Sequence, residues 1–83
     1  MIGTRIRDAF EAEGYEPCVE AKKYLRELDE KDAEWCLSHR ATIIANVVSN
    51  AGRSRGEWYD GTTRERYTWM RETINRVIDT CGK

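Results

Sequence analysis

Apolar residues recur along this chain at helical spacing from end to end, and no stretch of useful length alternates at the two-residue period of a half-buried strand. Ile2, Ile6, Ala9 and Phe10 fall at i, i+4, i+7 and i+8, one face of a first helix for which Gly14 supplies a stop. Pro17, the only proline, suits the first turn of a second helix, where its missing N–H would be unsatisfied anyway. Cys18, Ala21, Leu25 and Leu28 form the stripe of that helix.

The longest run extends from Ala33 to Ala51 and is closed by Gly52. Its stripe is out of phase with the one centred on Leu25 by about 100°, so a straight rod through both would leave one of them facing water. A break is therefore expected within LDEKD, with Asp29 or Asp32 as the N-cap that accepts from the free N–H groups of the next helix. Ala33, Cys36, Leu37, Ala41, Ile43, Ile44, Val47, Val48 and Ala51 then span an arc of about 160°, wider than contact with one neighbour requires. This predicts a central long helix over residues 32–51, packed on two sides, with Gly52 as its left-handed C-terminal residue. Thr62 and Glu65 have the spacing of a capping box ahead of a last helix. Its stripe is Tyr67, Met70, Ile74, Val77, Ile78 and Cys81, and Gly82 ends it.

The expectation is a single all-α domain over residues 1–83. It would be a small bundle or orthogonal array of about four helices around the central one. A chain of 83 residues buries only about 60–65% of its unfolded surface, so the core is thin and a large internal cavity is not expected. With 40% hydrophobic and 35% charged residues the chain has enough apolar side chains to fold and a heavily charged surface.

The net charge of −1 conceals an asymmetry. Nine acidic residues stand against four basic ones between Glu11 and Glu34, whereas Trp35 to Gly56 contains no acid, only His39, Arg40, Arg53 and Arg55. Arg64, Arg66, Arg71 and Arg76 follow. One end of the fold should be acidic and another mildly basic.

Cys18, Cys36 and Cys81 are odd in number, match no zinc or redox spacing, and each falls on an apolar stripe. Buried free thiols in a reducing compartment are the expectation, with no metal and no cofactor. The amino-terminal segment carries Arg5, Arg7 and Asp8 rather than an apolar signal core, and no run is long enough to span a bilayer. A soluble, cytoplasmic protein follows as an expectation.

Residues that depart from the core pattern point to function. The connection from Gly52 to Gly61 is ten residues long, against about 2 to 8 for usual helix–helix connections. It carries Arg53, Arg55, Trp58 and Tyr59, with Arg64 and Arg66 close behind. Two readings stand: a surface that grips a partner through the residue types that dominate binding hot spots, or an aromatic lid over a thin core. Trp35 projects opposite the core stripe, so it is either covered by the first helix and its following loop or exposed as a contact residue. Arg40 projects into the apolar arc. It must either reach water along its stem or pair with an acidic residue of the first or second helix.

No catalytic residue is assigned. Cys36 and His39 lack an orienting third group, no glycine-rich phosphate loop is present, and the carboxylates lie on solvent-facing positions. The function expected is that of a small non-enzymatic interaction protein that binds and inhibits or adapts a larger cytosolic protein, in the manner of phage or mobile-element accessory proteins. Its candidate partner-binding residues are Trp35, Arg53, Arg55, Trp58, Tyr59, Arg64 and Arg66. The alternative is a nucleic-acid-binding module using the arginine and aromatic residues of 52–66, against which stand the pI of 5.8 and the long connection before the last helix. The residues do not specify the oligomeric state.

Overall fold

The computed structural model describes residues 1–51 and 63–81, with the backbone alone for residues 50, 51, 63 and 64. The architecture is all-α. Among the described residues five helices follow in chain order: α1 (Ile2–Ala12), α2 (Val19–Leu28), α3 (Ala33–Ser38), α4 (Arg40–Ala51) and α5 (Thr63–Cys81). No strand occurs among the described residues.

Helix α1 buries Ile2, Ile6 and Phe10, the face its spacing predicts. It ends in a Schellman motif. Gly14 takes the left-handed conformation at φ +85, its N–H reaches the Glu11 carbonyl at 3.0 Å, and the Tyr15 N–H reaches the Phe10 carbonyl at 3.0 Å. The apolar contact that accompanies this motif is present as well, with the rings of Phe10 and Tyr15 edge to face at 5.4 Å. The chain is thereby turned so that the buried Tyr15 and Pro17 lead into α2.

Pro17 does not open α2, as its spacing predicts. The N-cap is Cys18, in an extended conformation and without a side-chain cap bond, and the first helical bond runs from the Lys22 N–H to the Cys18 carbonyl at 2.9 Å. Tyr15 and Pro17 are buried ahead of it, and the helix begins two residues after the proline. Ala21, Leu25 and Leu28 are buried as expected, and α2 ends at Leu28.

The break in LDEKD divides its two aspartates between two helices. Asp32 caps α3, its carboxylate accepting from the Trp35 N–H at 2.7 Å. Asp29 turns to the start of α1, accepting from the Thr4 N–H at 2.8 Å and the Thr4 hydroxyl at 2.6 Å. A carboxylate at a helix N-terminus satisfies an orphan donor and opposes the positive end of the helix dipole. Asp29→Ala is expected to cost about 1–2 kcal/mol in chemical denaturation, with Asp29→Asn retaining part of the effect. Equal stability of all three proteins would remove the cap from the account of how α1 is held.

The run expected as one central helix is two segments. His39 leaves the helical conformation at φ −112, ψ 24 and separates α3 from α4. Its ring stacks on Trp35 at 4.0 Å, and Arg40, the first residue beyond it, bonds to α5. These contacts sit at the break, although the apolar period passes through the position unbroken. The expected arc also fills only in part. Cys36, Ile43 and Val47 are buried, Ile44 and Val48 are half-buried, and Leu37 and Ala41 are exposed.

Helix α4 packs on α2, α3 and α5, while α5 packs on α1, α3 and α4. The longest helix, α5, therefore closes the fold and shares its centre with α4. Its Met70, Ile74 and Ile78 are fully buried and Val77 nearly so. They meet Ile6, Phe10, Leu25, Leu28, Ile43 and Val47 in one core cluster. Thr73 is buried among them and its hydroxyl has no hydrogen-bond partner among the described residues. The expected capping box rests on Thr62, and the expected helix ends on Gly52 and Gly82; these lie outside the described residues.

Candidate functional site

Most of the expected contact residues fall where the structure is not described. Arg53, Arg55, Trp58 and Tyr59 lie outside the described residues. Arg64 is placed by its backbone in the first turn of α5, and Arg66, two residues later, is half-buried. The site that can be built from the residues upward is the surface around α3 and α4.

Trp35 occupies the first turn of α3, positioned by the Asp32 cap that holds its backbone N–H. Its indole meets side chains of its own segment. His39, one turn later, stacks on it almost parallel, at 10°. Lys31, one turn earlier, places its ammonium 5.0 Å from the ring centroid. His39 Nδ1 is 2.8 Å from the Trp35 carbonyl oxygen, which can only accept. That nitrogen therefore carries the proton, and in the neutral ring Nε2 is left as the acceptor. The stacked imidazole closes one face of Trp35 to a partner. Positions 31, 35 and 39 are four apart in the sequence, and Trp35 is half-buried and packed against the core as well.

Arg40 is half-buried and pairs with Asp79 of α5, its second guanidinium nitrogen donating to Asn75 Oδ1 at 3.3 Å. The expected acidic partner on the first or second helix is replaced by one on the last. Asn75 and Asp79 are one turn apart and the start of α4 lies beside the C-terminal half of α5, so a single planar fork spans both. Because the side chains are about a third and about half exposed, the pair is worth about 0.2–1 kcal/mol and sets register more than stability.

Beyond Arg40 the remaining half of the apolar arc stands open. Ala41 and Ala45 are exposed, Ile44 and Val48 are half-buried against the core, and Leu37 at the end of α3 is 38% exposed. Positions 41, 44, 45 and 48 share one face of α4. Ala41, Ile44 and Val48 belong to the arc that the sequence assigns to a second buried contact, and Ala45 lies just outside that arc.

The thiols are not equivalent. Cys36 is fully buried, and burial pushes its thiol up, with the charge of Asp32 adding to the shift. Cys18 and Cys81 are only half-buried, because they sit at the ends of their stripes rather than along them. Cys81 Sγ accepts from Arg5 Nη1 at 2.9 Å. The expectation of three uniformly shielded thiols is therefore corrected. With a thiol-reactive dye in native buffer, Cys18 and Cys81 are expected to label well ahead of Cys36, whose labelling requires opening of the fold. Simultaneous labelling of all three would place Cys36 outside the core.

Two open grooves are found on the described surface. One of about 640 Å³ is lined by Glu72, Asn75, Arg76, Asp79 and Thr80, all from α5. The other, about 180 Å³, lies between α1 and α2 and includes Arg7, Asp8, Glu11, Lys22 and Asp29. Among their charged groups, Arg7 pairs with Glu11 at 3.4 Å, Asp29 accepts from Thr4, and Asp79 pairs with Arg40. Lys22 extends to Glu16 at 2.7 Å, and that bond followed by its charge holds the Glu16 carboxyl below the usual carboxylate range.

Among the described residues no group of three or more His, Cys, Asp or Glu side chains is placed to hold a metal ion. No described helix is long and apolar enough to cross a membrane. No protein-family model, curated protein or solved structure matches the chain.

Proposed function

We propose that this chain is a small non-enzymatic interaction protein that binds a larger cytosolic protein and thereby inhibits or adapts it, as accessory proteins of phages and other mobile elements do. The observation that supports this reading is the open apolar face of α4, with Ala41 and Ala45 exposed beside half-buried Ile44 and Val48. Contiguous apolar surface of this kind is costly to leave in water and is the usual ground of a protein–protein contact. Arg53, Arg55, Trp58 and Tyr59 follow α4 in sequence. In the proposal they supply the anchoring side chains, with Arg64, Arg66 and Trp35 at the periphery. Three free cysteines agree with a reducing compartment.

The test is affinity capture from the native host with the tagged chain, carried out with and without nuclease. The comparison protein is the Ala41→Arg, Ala45→Arg double variant. Both positions are exposed, so circular dichroism and melting temperature should stay close to those of the parent. Capture of a defined protein should persist after nuclease and fall by about tenfold or more in the variant, the equivalent of about 1.4 kcal/mol. Replacing Arg53, Arg55, Trp58 and Tyr59 by alanine should weaken capture as well. Capture that disappears with nuclease would favour the nucleic-acid alternative, and its steep loss with salt would measure how many phosphates are contacted. Capture unchanged by the double variant would remove the α4 face from the interface.

A further inference from the structure

We draw no further inference here: the strongest candidate, the half-open apolar face of α4 at Ala41, Ile44, Ala45 and Val48, belongs to the surface already described, and nothing in the structure shows what covers it.

Discussion

Phe10→Ala is expected to destabilise the protein by about 3–5 kcal/mol in urea or guanidinium denaturation. The ring is fully buried and meets Tyr15 edge to face at 5.4 Å and Trp69 at 5.3 Å. It therefore joins three parts of the chain: the end of α1, the extended segment into α2 and the middle of α5. Truncation to Ala removes the transfer energy of the ring and leaves a cavity whose walls belong to different elements, so collapse is hindered. The same residue accepts the 6→1 bond of the Schellman motif, and the contact with Tyr15 that accompanies that bond would be lost with the ring. A domain of this size has a total stability of roughly 4–12 kcal/mol, so this one change removes a large share of it. A loss below about 1 kcal/mol, with tryptophan fluorescence unaltered, would show that the ring does not bridge α1 and α5.

What the sequence made legible are the features set by local spacing. The faces of α1, α2 and α5 follow from 2/6/10, 21/25/28 and 70/74/77/78, and each of these residues is buried. Asp32 as a cap and Gly14 as a stop were readable because their roles depend on side-chain length and on a missing Cβ, which act within a few residues. The break at His39 was not readable. No proline or glycine marks it, and the contacts that sit at it are a ring stack and an Arg40 fork that closes only once α5 is in place. Leu37 and Ala41 were assigned to the core by a projection that treats residues 32–51 as a straight rod. At the far edge of the arc Leu37 and Ala41 are exposed, while Ile44 and Val48 are half-buried against the core. Asp29 shows the same limit in another way: its sequence position fits a cap for α3, but its partner is Thr4, twenty-five residues earlier. Of the off-pattern residues, Arg53, Arg55, Trp58 and Tyr59 lie outside the described residues, and for Trp35 the structure adds a stack on His39 and the Lys31 ammonium near its ring.

Gly3→Ala is expected to reverse the usual sign of a glycine-to-alanine change in a helix. In an exposed helical position that substitution stabilises by about 0.5–1 kcal/mol, because alanine loses less backbone entropy on folding. At position 3 an added Cβ would stand 1.7 Å from the Leu25 carbonyl oxygen, 2.7 Å from its carbon and 3.0 Å from Asp29 Oδ1. The first two atoms are backbone in the last turns of α2 and cannot swing aside as a side chain would. Helices α1 and α2 must separate instead. Separation opens the contact between Ile2, Ile6 and Leu25, Leu28, and draws Thr4 away from the carboxylate that caps α1. Overpacking of about 1–3 kcal/mol and loss of a charged cap of about 1–2 kcal/mol together give a destabilisation of roughly 2–5 kcal/mol. A double-mutant cycle separates this mechanism from a general weakening of α1. If the methyl group forces the helices apart, Asp29→Ala should cost little in the Gly3→Ala background, leaving a coupling of about 1 kcal/mol between the two positions. Additive effects would mean that the cap survives and the strain is taken up elsewhere, and a stabilised Gly3→Ala protein would mean that α1 and α2 do not approach this closely.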